Sequence, residues 1–169
     1  MQFSSIIGQQ PVKQQLAELV QHNRLSHALL FMGKEGSGSL SLALAFAQYI
    51  VCEKVNGKNT AIQTGPSLFG DPEPATQNSK PEALSDSCGV CPACQKAEQL
   101  IHPDIHFSYP TVTKKAGEKP TAKDFITEWR EFIKLSPYGN LYDWIEKIKE
   151  KENSQGKITA EECNDIICK

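Results

Sequence analysis

Three closely spaced cysteines carry the clearest chemical signal in the sequence. Cys88, Cys91 and Cys94 are separated by two residues each, so a tight knuckle brings three thiols toward one point. Structural zinc takes four thiolate or imidazole ligands in a tetrahedron, and we predict Cys52 as the fourth ligand. Closing the long segment between Cys52 and Cys88 is tolerable because loop-closure entropy rises slowly with length. His102 is the alternative fourth ligand.

Other interpretations of the cysteine knuckle are a redox or iron–sulfur site and free thiols. A redox motif needs a thioredoxin-like setting, and a third thiol at equal spacing favours zinc instead. Four thiolates leave no open position for water or substrate, so we predict one structural zinc ion per chain. Cys163 and Cys168 lie on a predicted last helix and are expected to be plain structural residues, with Cys163 in a buried stripe beside Ile166 and Ile167.

A glycine-rich loop is the second candidate site. A working phosphate loop reads G-x-x-x-x-G-K-[ST]: backbone N–H groups cradle the phosphates, the lysine neutralises them and the hydroxyl holds magnesium. Here Ser39 stands in the lysine position and Leu40 in the hydroxyl position, so we predict no ATP hydrolysis. Lys34 has the right charge but lies near the start of the loop, and a simple tight turn is the other interpretation. The loop residues are Gly33, Lys34, Glu35, Gly36, Ser37, Gly38, Ser39 and Leu40.

Hydrophobic spacing predicts an α/β arrangement around the glycine loop. Residues 27–32 form a short apolar run typical of a central parallel strand buried on both faces, and residues 105–109 alternate like a second strand. Residues 40–51 are almost continuously apolar and predict a helix packed deeply against the sheet. His27 and His106 lie within or beside these strands and are expected to be structural, not catalytic.

Further helices are predicted on either side of the two sites. One begins near Pro11, and two later stripes of apolar residues place Trp129 and Trp144 as core or interface anchors. The last helix should begin with a capping box and a hydrophobic staple, formed by Thr159 with Glu162 and by Ile158 with Cys163.

Composition places the chain among globular cytoplasmic proteins. Hydrophobic residues make up 39% and charged residues 22%, and no apolar stretch approaches the ~20 residues of a membrane span. In a reducing compartment the six cysteines are expected to serve metal binding before disulfides. A net charge of -2 provides no global field for nucleic acid. Residues 53–87, rich in Gly, Pro and polar residues, are predicted to be a flexible insertion.

The order of these motifs resembles the bacterial DNA polymerase III clamp-loader family of AAA+ proteins. The residues that carry the resemblance are Ile7-Gly8-Gln9, the run at 26–33, the glycine loop, Cys52, the cysteine knuckle and His102-Pro103-Asp104. In that family a four-cysteine zinc module is inserted between the phosphate-loop helix and the next strand. Motor subunits of the family keep lysine and threonine or serine in the loop, whereas delta-prime subunits typically do not, so Ser39 and Leu40 resemble the delta-prime class.

The resemblance implies a P-loop NTPase-like parallel sheet flanked by helices, with an inserted zinc module. Residues 1–51 would hold the first strand, the degenerate loop and its helix, residues 52–101 the insertion, and residues 102–169 the second strand and further helices. The Walker B strand and the arginine-finger segment of the family are expected beyond residue 169.

The resemblance also implies a function and partners. The chain would be a non-hydrolysing stator of the DNA polymerase III holoenzyme, a nucleotidyltransferase complex. Its partners would be the gamma/tau motor subunits and delta, and indirectly the sliding clamp and primer–template DNA. One alternative is an ATP-hydrolysing motor-type subunit or a nucleotide kinase. Another is a zinc-knuckle adaptor that binds nucleic acid through Lys114, Lys115, Lys119 and Lys123.

Overall fold

A computed structural model describes residues 1–57, 86–113, 117, 119–149 and 154–167. These residues form six α-helices and two short 3-10 helices. The α-helices are α1 (Gln10–Gln21), α2 (Ser39–Val51), α3 (Pro92–Glu98), α4 (Ile126–Leu135), α5 (Leu141–Ile148) and α6 (Ala160–Ile167); the 3-10 helices are Phe3–Ser5 and Ala122–Phe125. No helix in the described ranges is long and apolar enough to cross a membrane.

The chain divides into two compact units. The first unit comprises Met1–Leu29 and Leu44–Glu98, and the second comprises Leu30–Ala43 and Gln99–Lys169. The predicted boundaries after residues 51 and 101 stay predictions. Most of the predicted insertion, at 58–85, lies outside the described residues.

The predicted parallel sheet is not formed in the described part of the chain. Residues 27–32 and 105–109 adopt no strand, and a single antiparallel bridge between Thr111 and Lys157 is the β-pairing that these ranges contain. Leu30 and Met32 are 82% and 81% exposed. A parallel strand is stabilised by hydrogen bonds to neighbouring strands and by helices on both faces. Most residues of the run at 27–32 are exposed, and so are His27 and His106.

The first unit packs α1 and the later part of α2 around the N-terminal segment. Phe3 is fully buried, and its ring centroid lies 5.3 Å from that of Tyr49. Leu16 of α1 is buried in this unit. Lys13 is also buried, and its ammonium donates a 2.6 Å hydrogen bond to the carbonyl of Ile6, which supplies the acceptor that a buried cation requires.

The second unit is built on an aromatic cluster. Trp129 on α4 stacks on Tyr109 at 4.2 Å between ring centroids, and Trp144 on α5 lies edge-on to both rings at 5.0 and 5.2 Å. The indole N–H of Trp144 donates to the carbonyl of Pro110 at 2.8 Å. Burial of both tryptophans confirms the prediction that they are core residues.

Helix α6 departs from its prediction at two points. Thr159 Oγ1 accepts from the N–H of Glu162 at 3.2 Å, but the Glu162 carboxylate accepts from the N–H of Ala122 at 2.7 Å instead of closing the capping box. Glu162 is therefore the buried residue of α6, whereas Cys163 is exposed together with Ile158, Ile166 and Ile167. The prediction of a buried Cys163 stripe is wrong, the hydrophobic staple stays a prediction, and Cys168 lies outside the described residues.

Candidate functional site: a four-cysteine centre and a degenerate glycine loop

Four thiols meet in the first unit. Cys52 directly follows α2, Cys88 and Cys91 lie in the knuckle, and Cys94 is in the first turn of α3. Their sulfur atoms all lie within 4.8 Å of one another, and those of Cys88 and Cys94 are 3.9 Å apart. Zinc–sulfur bonds of about 2.3 Å in a tetrahedron place sulfurs about 3.8 Å apart, so this donor set matches a zinc ion in number, chemistry and spacing. His102 is not in the cluster, and its Nδ1 accepts from the N–H of Asp104 at 3.2 Å.

Backbone N–H groups already point at the sulfurs. The N–H of Cys88 donates to Cys52 Sγ at 3.3 Å, that of Cys91 donates to Cys88 Sγ at 3.4 Å, and that of Cys94 donates to Cys91 Sγ at 3.4 Å. Such bonds favour the thiolate over the thiol because they stabilise negative charge on sulfur. The knuckle geometry predicted from the two-residue spacers therefore orients these backbone N–H groups toward the sulfur atoms.

The thiols of the cluster differ in acidity. Burial raises the pKa of Cys88, but backbone N–H groups of Cys91 and Val90 and the neighbouring thiols outweigh it and bring the pKa to about 7. Burial and then the hydrogen bond to Cys91 raise the pKa of Cys94 well above its usual value. Four thiols this close do not ionise together without a cation, so metal binding here must displace protons.

The segment before the knuckle ties the N-terminal residues to the cysteine centre. The Asp86 carboxylate accepts from the N–H groups of Phe3 at 3.1 Å and Ser4 at 2.8 Å. The side chain of Gln2 donates to the carbonyl of Ser87 at 2.5 Å, and buried Gln48 donates to Ser87 Oγ at 3.2 Å. Sequence reasoning missed these residues because their partners lie far away along the chain and follow no motif.

Replacing Asp86 by alanine is expected to loosen the N-terminal segment. Two N–H groups at the start of the Phe3–Ser5 helix lose their acceptor, and losing an N-terminal cap costs about 0.5–2 kcal/mol. Denaturant unfolding measures the loss, and amide exchange at Phe3 and Ser4 should accelerate. Asp86→Asn keeps one side-chain carbonyl oxygen as an acceptor, so its stability should lie between those of the native chain and Asp86→Ala. Equal stability of Asp86→Ala and the native chain would contradict this role.

The glycine loop lies in the second unit and leads directly into α2. A turn forms between the carbonyl of Lys34 and the N–H of Ser37 at 3.0 Å, and Gly36 and Gly38 have positive φ values of 75° and 80°. The carbonyl of Gly38 accepts from the N–H of Leu42 at 2.8 Å, so Gly38 immediately precedes the first helical turn. Ser39 and Leu40 are thus the first residues of α2, and Lys34 is exposed.

A cavity of about 340 Å³ lies next to this loop. The glycine loop and the start of α2 line one side, and the aromatic cluster with the turn between α4 and α5 lines the other. Backbone N–H groups at a helix start favour an anion, but position 39 has a serine in place of the lysine and position 40 has a leucine in place of the hydroxyl residue that phosphoryl transfer needs. The side chains at positions 39 and 40 therefore do not supply the charge and the metal ligand of a working phosphate loop, and the assignment of this loop as a degenerate phosphate loop stays a prediction.

The lysines considered for nucleic-acid binding are partly engaged. Lys119 pairs with Glu161 and Lys123 pairs with Asp165 at 2.6 Å. Lys114 and Lys115 lie outside the described residues. Ion pairing of Lys119 and Lys123 with α6 reduces the positive charge that this segment presents to a phosphate backbone.

Comparison with known proteins agrees with the motifs. The family described as "DNA polymerase III, delta subunit" matches residues 8–66, which contain the glycine loop and Cys52. "DNA polymerase III subunit delta'" of Bacillus subtilis is 32% identical over 91 residues, covering 54% of this chain and 19% of that protein. Over the matched residues the chain is similar to a delta-prime subunit. The matched region spans about a fifth of the length of that curated relative. No solved structure matches this chain.

Proposed function

We propose that the chain acts as the stator, a non-hydrolysing delta-prime subunit, in the clamp loader of DNA polymerase III. The observation that carries the proposal is the pair Ser39 and Leu40 at the start of α2, directly after a glycine loop of phosphate-binding spacing. The similarity to a DNA polymerase III delta-prime subunit supports the same assignment.

The chemistry of positions 39 and 40 accounts for the absence of turnover. Phosphoryl transfer requires a cation against the outer phosphates and a magnesium ion held by a hydroxyl. Ser39 has no charge and Leu40 has no oxygen, and exposed Lys34 lies at the other end of the loop. A ligand shifts a conformational equilibrium only through different affinities for its states, so a module without nucleotide binding keeps one conformation while its neighbours switch.

We further propose that Cys52, Cys88, Cys91 and Cys94 hold one structural zinc ion. Four sulfur donors within 4.8 Å of one another support this assignment. The ion would join the end of α2 to the knuckle and α3, and closing the segment between Cys52 and Cys88 would stabilise the first unit. With four protein ligands the ion has no open coordination position and serves no catalytic step.

In this proposal the subunit assembles with the gamma/tau motor subunits and delta, and the complex places the sliding clamp on primer–template DNA. The module contributes a fixed surface against which motor subunits move. A motor-type ATPase and a nucleic-acid adaptor receive less support, because the loop lacks its reactive side chains and because Lys119 and Lys123 are ion-paired.

The proposal predicts assembly without turnover. Mixed with purified gamma/tau and delta subunits, the chain should co-elute with them in the absence of ATP. Alone, it should release no phosphate from ATP and magnesium above a protein-free blank, and calorimetry should show no binding. Phosphate release that disappears in Lys34→Ala would support a motor-type enzyme instead. Failure to co-elute with any clamp-loader subunit would contradict the stator role.

A further inference from the structure

The turn between α4 and α5 lies against the glycine loop. We call its residues, Pro137, Tyr138, Gly139 and Asn140, the 137–140 turn. A Cβ atom added to Gly38 would lie 2.6 Å from Cε1 and 3.1 Å from Cδ1 of Tyr138, so the tyrosine ring covers the backbone of Gly38. Any ligand group that approached the backbone of Gly38 from this side would meet the ring.

The same turn provides an acceptor at the start of α2. Ser41, which is 1% exposed, donates a hydrogen bond from its Oγ to the carbonyl of Pro137. The N-terminus of a helix carries partial positive charge, which in a phosphate loop attracts an anion. Here the negative end of a carbonyl dipole from the chain itself lies beside that terminus.

The 137–140 turn is held firmly on its own side. The N–H of Gly139 donates to the carbonyl of Ser136 at 2.9 Å, and a Cβ atom at Gly139 would lie 2.6 Å from Cζ of Phe132. Asn140 caps α5 by accepting from the N–H of Asp143 at 2.9 Å, while Asp143 accepts from the N–H of Asn140 at 3.1 Å. The turn is therefore prearranged by the packing of α4 against α5.

We infer that the 137–140 turn narrows the cavity at the glycine loop and keeps nucleotide phosphates away from the backbone of Gly38 sterically, in addition to the missing lysine and hydroxyl. The inference deepens the proposed function, on which it rests for the meaning of the loop. Its consequence is specific: restoring the two lost side chains does not restore nucleotide binding while Tyr138 covers Gly38. Two independent changes, one chemical and one steric, then keep this module from responding to ATP.

The first test combines repair of the loop with removal of the ring. The doubly repaired chain, Ser39→Lys with Leu40→Thr, is compared with the same chain also bearing Tyr138→Ala, using calorimetry with ATP and magnesium. Opening the loop should tighten binding at least ~10-fold, because apparent affinity scales with the fraction of open sites. Tyr142→Ala, a 70% exposed tyrosine on α5, is the matched control and should change nothing. Equal affinity of the repaired chain with and without Tyr138 would overturn the inference.

If neither repaired chain binds ATP, amide hydrogen exchange tests the inference instead. In the otherwise native chain, Tyr138→Ala should accelerate exchange of the amides from Gly36 to Leu40, whereas Tyr142→Ala should not. Unchanged exchange in Tyr138→Ala would show that the ring does not cover the loop, and the inference would fail.

The two proposals fail separately. If exchange is faster in Tyr138→Ala but the chain does not assemble with clamp-loader subunits, Tyr138 covers the loop and the stator role is rejected. If the chain assembles but exchange is unchanged, the stator role is supported and the inference about Tyr138 is rejected.

Discussion

Replacing Cys94 by serine is expected to abolish binding of the proposed zinc ion and to cause the largest loss of stability of any single substitution proposed for this chain. Cys94 is fully buried among the other three thiols, and a hydroxyl is a poor substitute for a thiolate on zinc. Structural zinc contributes about 10–16 kcal/mol of apparent binding free energy at neutral pH, so loss of one ligand should cost more than about 4 kcal/mol.

Cys163 offers a matched control for this experiment. It is a free, exposed cysteine outside the cluster, so Cys163→Ser should retain zinc and change stability by less than about 0.5 kcal/mol. Metal analysis of both variants gives the stoichiometry, and chemical unfolding gives the free energy. One zinc ion per chain in the native protein and in Cys163→Ser, with none in Cys94→Ser, is the expected pattern. A native chain purified without zinc that also fails to bind added zinc would contradict the site.

Acid should release the same ion. Zinc binds thiolates, so protons compete with it; the stabilisation is present at neutral pH and is lost as the pH falls. Cys88, whose thiol has a pKa of about 7 in the absence of metal, ionises more readily than Cys94, whose pKa is raised by burial. A zinc-sensitive dye should therefore report release in acid, well below the metal-free pKa of Cys88 because bound zinc stabilises the thiolates, from the native chain and from Cys163→Ser alike.

Truncating Trp144 to alanine is the second large effect. The side chain is 1% exposed, lies within 5.5 Å of the rings of Tyr109, Trp129 and Phe132, and donates to the carbonyl of Pro110. Removing a buried tryptophan leaves a large cavity and an unpaired carbonyl, which together cost about 3–5 kcal/mol.

Controls separate packing from the hydrogen bond. Trp144→Phe keeps an aromatic ring but loses the donor to Pro110, and it should cost less than the alanine variant. Tyr142→Ala removes an exposed ring from the same helix and should cost less than about 0.5 kcal/mol. Circular dichroism is the suitable probe, because these substitutions alter fluorescence directly. Equal stability of Trp144→Ala and Tyr142→Ala would contradict a cluster centred on Trp144.

Short-range features of this chain follow from the sequence alone. The knuckle at Cys88, Cys91 and Cys94 depends on two-residue spacers, and the glycine loop followed by α2 depends on a few backbone angles near Gly36 and Gly38. The positions of α4 and α5 follow from apolar spacing. In each case the interacting groups are close along the chain, so local geometry leaves little choice.

Long-range pairing was decided by the tertiary structure. The apolar residues at 27–32 resemble a strand, but a strand needs a neighbouring strand, and no strand is formed at 27–32 in the described residues. Glu162 turned from its own helix to the N–H of Ala122, because a buried N–H requires an acceptor. Asp86 and Tyr138 found partners at Phe3, Ser4 and Gly38 through packing of distant segments. The spacing of residues in the sequence thus determined which reactive and metal-binding side chains lie together, whereas three-dimensional packing determined which distant backbone groups the side chains contact.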